Sequence, residues 1–496
     1  MKNLFKKISA LVLAAIMVLS MCTAVFADTK KVEIKLTGFA SANKVEFMQI
    51  IQKDETKTSG WVFANGAGTC FKEALGLDAS ADEQQIIWGL IQYNDSSVKL
   101  PTGVTAKTVT AANIDLALSK VAALTGFTEA TDKTKIEVSA AGIYAIKAEE
   151  TGFTYKTATA YVGFGEPYPE LENAEVTAKK SPTSVDKTVA DDDHVVAIGD
   201  IVTYTIEAYV PFIDAAKSTN REFKITDIIN GADYYLEGEG AVSEVKMNDS
   251  AVANVQFELN KDKTGFSINL DSLVADTTNP NAGNKITVTY TAKVNNTTVE
   301  NTAGSHTADA IYGGENVPVK LFTGEIEILK TDDNKEEEKK KHLKDAGFKV
   351  YKKDEEKTLY AKFDANKKFD GWTDKIDEAT EIKTGTDGKV KVEGLDLGTY
   401  WFKEVTAPEG YSLNTNDVYV TLALNANNSS EMVVNGSTVS VANKTITTDT
   451  AKMTDTRLNA LPSTGGMGTY LFTIVGVVLM TCAAGAFFVS RRKANK

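Results

Sequence analysis

The sequence predicts an all-β protein made of tandem immunoglobulin-like β-sandwich domains, with some helical insertions in the N-terminal domain. Apolar and polar residues alternate with period two from about residue 170 onward, which is typical of antiparallel strands with one buried face. In IVTYTIEAYV (201–210) and KITVTYTAKV (285–294), every second residue is apolar or aromatic. Many such short strands, separated by Gly, Asn and Asp, indicate sandwich domains.

The first 27 residues have the pattern of a signal peptide. A basic start is followed by an apolar run, 8–21, and a small-residue cleavage pattern ends at Ala27. The apolar run is short and the small residues follow it directly, which favours a cleaved signal over an uncleaved anchor helix. We therefore expect the mature chain to begin at Asp28.

The C-terminal end has the pattern of a membrane anchor. Residues 470–489 are uncharged and mostly apolar, and about 20 such residues span a bilayer as a helix. A basic tail, 491–496, follows at once, and positively charged flanks favour the cytoplasm. The sequence therefore predicts a transmembrane helix with the bulk of the chain outside the cell.

Composition excludes several classes of function. The formal charge is −13 and no basic stripe is present, which argues against binding of nucleic acid. Because Cys22 and Cys482 fall in the two end segments, only Cys70 remains in the mature exterior, and we expect it to be buried packing. Exported domains often rely on disulfides for stability, but a single cysteine cannot form a disulfide within the chain. We therefore expect a different covalent cross-link. No catalytic triad, metal motif or cofactor motif surrounds the histidines, which are His194, His306 and His342.

The exterior divides into three predicted domains, 28–178, 180–320 and 321–457. In the first, DEQQIIWGLIQY and AANIDLALSKVAAL have helical spacing, whereas KVEFMQIIQ and GIYAIKAEE have the pattern of strands. The third contains a charged run near its start, DDNKEEEKKKHLKD, which we interpret as a solvated connection.

A short motif precedes the membrane segment. Leu461, Pro462, Ser463, Thr464 and Gly465, followed by an apolar span and a basic tail, resemble the cell-wall sorting signal of Gram-positive surface proteins. The resemblance implies that a sortase cysteine attacks the carbonyl between Thr464 and Gly465 and releases the membrane tail. An amine then resolves the resulting thioester, so the motif acts as a substrate.

The third domain carries the most specific resemblance. YWFKEVTAPEGY (400–411) resembles the E-box of sortase-assembled pilins, YxLxETxAPxGY, and departs from it at Phe402 and Val405. The stretch EIEILKTD, with Leu343, Ala346 and Phe348 after it, is similar to collagen-adhesin (Cna) B-type domains.

The resemblance implies an isopeptide bond in the third domain. Lys330 would be joined to Asp455, or to Asn443, with the E-box acid Glu404 assisting. Burial favours a neutral amine and a neutral carboxylic acid, so the amine can attack while the acid polarises the carbonyl and transfers protons.

The middle domain resembles the A-type pilin domain, in which a lysine of the first strand joins an asparagine of the last strand beside an acid. Lys187 in VDKTV is the expected nucleophile, Asn301 in VENTA the acceptor and Asp227 in FKITD the acid. The wide separation of Lys187 and Asn301 along the chain suits a bond between the end strands.

The junction of the first two domains matches part of a pilin motif, V-x-x-P-K-N, whose lysine attacks the sortase-bound threonine of the next subunit. Val176 and Lys179 fit in position, but Ala178 replaces proline and Lys180 replaces asparagine. We expect Lys179 to be the polymerising lysine and to be exposed; Lys180, or no lysine at this junction, are the alternatives.

These resemblances imply a major (backbone) pilin, cleaved by sortase and joined head to tail with other copies of itself, an open-ended contact that extends as a filament. The expected partners are pilus-specific and housekeeping sortases, ancillary pilins and peptidoglycan, with host surface molecules as further candidates. The alternatives are a monomeric wall-anchored adhesin or an ancillary pilin with the same domains, and a surface enzyme. No cofactor or metal is expected.

Overall fold

The computed structural model divides into two compact units, residues up to 194 with 199–322, and residues 195–198 with those from 323 onward. The described residues are 31–164, 170–217, 220–313, 318–355, 357–425, 432–434, 437–439, 445–447, 450–458, 477 and 479–481.

Three helices are described in the first half of the first unit. Two of them confirm the helical spacing of the sequence, and both have a capped N-terminus. Asp82 accepts a hydrogen bond from the backbone N–H of Gln84, while Thr110 and Asn113 form a reciprocal capping box. The helix not predicted is only two turns long. The helices are α1 (Ala67–Ala74), α2 (Glu83–Asn94) and α3 (Ala111–Ala122).

The strands of this half form two stacked sheets and a small ribbon. Strands β1–β10 are Val32–Thr37, Lys44–Lys53, Trp61–Phe63, Thr128–Glu129, Lys135–Val138, Gly142–Glu149, Phe153–Lys156, Ala158–Val162, Ala174–Thr177 and Lys179–Pro182. One sheet has the order β5–β1–β9, the second has the order β3–β2–β6–β8 with β4 also on β2, and β10 pairs with β7.

Alternation along β6 explains how the second sheet is covered on both faces. Ile143 and Ala145 pack with the helices, whereas Tyr144 and Ile146 pack with the core of the first sheet. Because successive residues of a strand point to opposite faces, one strand serves two cores. Cys70 lies buried in the helical core, as expected.

The second half of the first unit is a sandwich of two six-stranded sheets. Strands β11–β22 are Asp186–Val189, Ile201–Tyr209, Phe223–Asn230, Ala232–Tyr234, Ser243–Met247, Ser250–Ala251, Glu258–Leu259, Gly265–Asn269, Lys285–Val294, Thr298–Thr307, Ile311–Tyr312 and Val319–Phe322. The first sheet has the order β11–β12–β19–β15–β16 with β14 on β19, and the second has the order β17–β18–β13–β20–β21 with β22 on β20.

The two alternating stretches that predicted strands lie side by side as β12 and β19, with Tyr204 opposite Tyr290. The predicted inward residues are all buried, which confirms the alternation. They are Val202, Tyr204, Ile206, Ala208, Val210, Ile286, Val288, Tyr290, Ala292 and Val294.

The second unit contains a three-stranded sheet facing a seven-stranded one. Strands β23–β34 are Gly324–Asp332, Gly347–Asp354, Lys357–Phe363, Phe369–Thr373, Ile382–Lys383, Lys389–Leu395, Gly398–Thr406, Val418–Asn425, Met432–Val434, Ser437–Val439, Thr445–Thr447 and Ala451–Asp455. The three-stranded sheet has the strand order β28–β23–β34, and the seven-stranded sheet has the order β26–β25–β24–β29–β30–β33 with β27 on β24. Strand β31 pairs with β32.

The all-β fold class predicted from the sequence is confirmed. The charged run 332–345 connects β23 to β24 and is mostly exposed, with a short 3-10 turn at Glu337–Lys339. The predicted signal peptide 1–27, the motif 461–465 and the tail 491–496 lie outside the described residues, as does most of the segment 470–489. Among the described residues, no helix is both long and apolar enough to cross a membrane.

Candidate cross-linking sites

The middle sandwich brings together the three residues that the sequence singled out there. Lys187 lies on the edge strand β11 of one sheet, whereas Asp227 on β13 and Asn301 on β20 belong to the facing sheet. In the β13–β20 ladder Asn301 is opposite Ile229, so Asp227 and Asn301 lie two residues apart on the same inward face. A bond from Lys187 to Asn301 would therefore join the two sheets.

One tyrosine hydroxyl connects the members of this site. Tyr290 Oη on β19 accepts hydrogen bonds from Lys187 Nζ at 2.5 Å and from Asn301 Nδ2 at 2.8 Å. It donates to Asp227 Oδ1 at 2.8 Å, and Tyr234 donates to the same oxygen at 2.8 Å. Lys187 Nζ also contacts Asp227 Oδ2 directly. The four polar groups thus form one connected hydrogen-bond network around Tyr290.

Burial sets the charge states of this network. Asp227 is 1% exposed and Asn301 is fully buried. Burial lowers the pKa of Lys187, an effect that the charge of Asp227 opposes, and burial raises the pKa of Asp227, which Lys187 opposes. The lowered pKa of Lys187 and the raised pKa of Asp227 both favour transfer of the proton from the Lys187 ammonium to the Asp227 carboxylate. The site can therefore hold a neutral, nucleophilic amine beside a neutral acid.

The second unit brings together Lys330, Asp455 and Glu404. Lys330 on β23 and Asp455 on β34 lie on adjacent parallel strands, and Lys330 is in register with Met453. Asp455 is two residues further along, so its side chain lies on the same inward face as that of Lys330. Glu404 projects from β29 of the facing sheet. The alternative partner, Asn443, lies outside the described residues.

All three side chains of this second site are fully buried. Lys330 Nζ lies 2.9 Å from Glu404 Oε1 and contacts Asp455 Oδ1 directly. Glu404 Oε2 accepts a hydrogen bond from the backbone N–H of Asn414 at 2.7 Å, which holds the carboxyl in place. The ring of Phe348 covers the amine, with its centre 5.6 Å from Nζ.

The charge balance of this site requires a proton on one carboxyl. One ammonium cannot neutralise two carboxylates, and like charges so close together disfavour full ionisation. Burial, together with the nearby Glu404, raises the pKa of Asp455 to about 6, although the charge of Lys330 opposes the shift. The cluster therefore holds an amine, a carboxyl carbon and an additional acid in direct contact.

The junction lysines lie in β10, which pairs with β7. Lys180 is held by other groups: its Nζ lies 2.7 Å from Glu150 Oε2 and 3.1 Å from Ser41 Oγ. It also lies 4.1 Å from the centre of the Phe153 ring. The Lys180 amine is thus engaged by a carboxylate, a hydroxyl and an aromatic ring.

Lys179 has a different environment. It is half-buried, because β10 is a paired strand rather than an open linker, so it is less exposed than expected. Lys156 stands opposite it in the ladder and forms an ion pair with Asp115 on α3, with 2.6 Å between Nζ and Oδ1. Burial and the positive charge of Lys156 lower the pKa of Lys179 to about 8, an effect that Asp115 opposes. Burial and the charge of Lys156 thus favour the neutral form of the Lys179 amine.

Sequence reasoning did not identify Tyr290, Tyr234, Lys156 or Asp115 as members of these sites. For Tyr290 a signal existed, because alternation placed it in the core and a buried hydroxyl needs a hydrogen-bond partner. No comparable signal marks Lys156, which stands opposite Lys179 in the β7–β10 ladder, or Asp115, which the packing of α3 brings to Lys156.

Two parts of the chain match known families. Residues 324–438 match the prealbumin-like fold domain of SpaA, and residues 455–496 match the LPXTG cell wall anchor motif. The chain is also 25% identical to the trypsin-resistant surface T6 protein of Streptococcus pyogenes serotype M6. That similarity extends over 397 residues, 64% of this chain and 70% of the T6 protein.

Solved structures of pilins are also similar to this chain. The T6 backbone pilin of S. pyogenes serotype M6, described as modular and three-domain, matches with a TM-score of 0.50 and 15% identity, over 88% of this chain and 100% of that chain. The major pilin SpaD of Corynebacterium diphtheriae matches with a TM-score of 0.43 and 17% identity, over 88% of this chain and 99% of that chain.

Together, the anchor, the prealbumin-like domain and the similarity to T6 confirm the predicted resemblance to sortase-assembled backbone pilins. The chain is a cell-wall-anchored surface protein.

Proposed function

We propose that this chain is the backbone subunit of a covalent cell-surface pilus, strengthened inside each copy by two self-generated isopeptide bonds. The observation that carries the proposal is the fully buried Lys330 in contact with two carboxyls, ahead of the cell wall anchor. Burying such charges costs several kcal/mol per ion. Conversion of the amine and one carboxyl into an amide removes this cost, which favours a reactive role for the site over a structural ion pair.

In the middle sandwich, Lys187 loses a proton to Asp227 and its amine attacks Cγ of Asn301. The new C–N bond replaces the bond to Nδ2, and ammonia leaves. In the second unit the amine of Lys330 attacks Cγ of Asp455, assisted by Glu404, and water leaves. Each reaction occurs once per chain, so the protein modifies itself and acts as a structural protein rather than as a conventional enzyme.

Between subunits, a sortase would cleave the bond between Thr464 and Gly465 and hold Thr464 as a thioester. The amine of Lys179 in the next copy would attack this thioester, form an amide and release the sortase thiol. With a pKa of about 8 instead of 10.5, Lys179 presents roughly 300-fold more neutral amine at pH 7 than an ordinary lysine. This reactivity supports Lys179 over Lys180, which is already paired with Glu150.

The proposed bonds suit a fibre under tension. Force applied between Lys179 and Thr464 would follow the backbone from 179 to 187, cross the first bond to 301, and cross the second bond from 330 to 455. The two sandwiches would be bypassed by covalent links and could not be pulled open. Residues 31–178 would lie outside this path, so that region needs no cross-link to withstand the load.

The test is the state of the protein on cells that express it with its sortases. A backbone pilin gives a ladder of high-mass species that survives boiling in detergent, and Lys179→Arg should abolish that ladder. Lys180→Arg is the matched control and should leave it intact. A single band from the unmodified protein would support the alternative, a monomeric adhesin or an ancillary pilin. Loss of the ladder only in Lys180→Arg would assign polymerisation to Lys180.

A further inference from the structure

The hydroxyl of Tyr290 has more partners than burial alone requires. One hydrogen bond would satisfy a buried phenol, yet Tyr290 Oη contacts Lys187 Nζ, Asn301 Nδ2 and Asp227 Oδ1 within 2.8 Å. Those atoms are the amine that would attack, the amide nitrogen that would leave, and an oxygen of the assisting acid. Tyr290 therefore touches every group whose protons must move.

Two neighbouring tyrosines show that this arrangement is specific. Tyr234 donates to Asp227 Oδ1 at 2.8 Å, and no hydrogen bond from it to Lys187 or Asn301 is seen in the described part of the chain. Tyr204 stacks on Tyr290, with ring centres 5.6 Å apart, and its buried hydroxyl lies beside the side chain of Asn301 but makes no hydrogen bond to Lys187 or Asp227 among the described residues. The three phenols share one aromatic cluster, but only Tyr290 bridges nucleophile and leaving group.

We propose that Tyr290 is a catalytic residue of the Lys187–Asn301 cross-link and relays a proton from the attacking amine to the departing ammonia. This inference rests on the proposed cross-link itself. It adds a fourth group to the lysine, asparagine and acid expected from the sequence.

Every proton that leaves one group in this relay is taken up by another. The Lys187 ammonium gives one proton to the Asp227 carboxylate, and the neutral amine then forms a bond to Cγ of Asn301 while the carbonyl electron pair moves to Oδ1. Nζ next gives a proton to Tyr290 Oη, and Tyr290 gives its own proton to Nδ2. The Cγ–Nδ2 bond breaks, its electron pair leaves with ammonia, and the carbonyl reforms. Tyr290 ends unchanged and Asp227 retains the first proton.

The order of these steps follows from the hydrogen bonds. Tyr290 first donates to Asp227 Oδ1, but protonation of Asp227 makes that oxygen a weaker acceptor. The hydroxyl proton is then free to turn towards Nδ2, 2.8 Å away, which becomes a basic amine once the carbon is tetrahedral. Burial raises the pKa of Tyr290, so the hydroxyl has its proton when the relay begins.

The experiment compares the mature chain, residues 28–464, with Tyr290→Phe, Tyr234→Phe and Tyr204→Phe. Samples are taken at intervals after a short induction, and branched peptides and intact mass report each bond. The middle bond lowers the mass by about 17 Da for lost ammonia. The bond of the second unit, in the same molecule, is an internal control for normal synthesis.

We expect Tyr290→Phe to form the middle bond on the order of 100-fold more slowly, the usual effect of losing a general acid–base group. Tyr204→Phe and Tyr234→Phe should each slow the bond less than Tyr290→Phe does, because neither hydroxyl bridges Lys187 and Asn301. Equal rates in Tyr290→Phe and Tyr204→Phe, or equal slowing in Tyr234→Phe and Tyr290→Phe, would overturn the relay. Absence of the bond from the unmodified chain would instead overturn the proposed cross-link.

A variant with 3,5-difluorotyrosine at position 290 separates relay from packing if Tyr290→Phe fails to fold. This residue keeps the hydroxyl and nearly the same shape but is a stronger acid. A relay makes the rate of bond formation, and its pH profile, differ from those of the unmodified chain. An unchanged rate and profile in this variant would contradict the proposal.

Discussion

Replacement of Glu404 by Gln removes the acid from the Lys330 site with little change of shape. The Gln carbonyl can still accept the backbone hydrogen bond of Asn414, which lies 2.7 Å from Glu404 Oε2. Lys330 and Asp455 remain as a buried ion pair. The variant should therefore fold but form the isopeptide bond slowly or not at all.

The expected loss of stability follows from the length of the loop that the bond closes. Lys330 and Asp455 are 125 residues apart in sequence. In the chain-entropy description, closing a loop of that length stabilises the folded state by about 5 kcal/mol. For a domain of this size, that free energy corresponds to a fall in melting temperature of roughly 20 °C.

Two measurements on the mature chain test the predicted loss of the cross-link and the predicted loss of stability in Glu404→Gln. Intact mass should be about 18 Da higher than in the cross-linked protein, after allowance for the substitution, because water is not lost. Calorimetry should show the transition of the second unit shifted down while that of the first unit is unchanged. Glu378→Gln is the matched control, since Glu378 forms an exposed ion pair with Lys375 in the same unit. It should alter neither the cross-link nor, appreciably, the transition.

Retention of the water loss in Glu404→Gln would refute the role of the acid. A cross-link lost without any fall in the melting temperature would refute the argument from loop entropy. Absence of the bond from the unmodified chain would remove the premise of both the role of Glu404 and the loop-entropy argument.

Three further predictions concern reactivity and mechanics. Lys179 should react with an acylating reagent with a midpoint near pH 8, because its lowered pKa leaves the amine neutral above that pH. Lys156→Gln removes a nearby positive charge and should move the midpoint upward. A midpoint near the ordinary value of 10.5 would contradict the assigned environment. Asp455→Asn should still cross-link the second unit, where the bond then removes about 17 Da instead of about 18 Da. A chain that loses only the about 17 Da of the middle bond would count against Asp455 as the partner. Single-molecule pulling should extend residues 330–455 only when the bond is absent. The Glu404→Gln variant should therefore gain about 400–450 Å of contour length relative to the unmodified chain. Equal contour lengths in the variant and the unmodified chain would argue against the link.

Several features follow from the sequence alone because they depend on neighbours along the chain. Period-two alternation predicted the inward face that includes Tyr204 and Tyr290, since side-chain direction in a strand is set residue by residue. The sorting signal is read as a linear motif, and the E-box identified Glu404 in the same way. The fold class and the likeness to backbone pilins could be predicted for these reasons.

Other features depend on residues far apart in sequence, and only the tertiary structure decided them. The Tyr290 hydroxyl joins Lys187, Asp227 and Asn301 because two sheets pack face to face, and no local pattern specifies which hydroxyl meets which amine. Likewise, the lowered pKa of Lys179 arises where β10 pairs with β7, beside the ion pair that Lys156 makes with a helix residue. Burial and charge at a side chain are sums over spatial neighbours, and a sequence does not list those neighbours until it is folded.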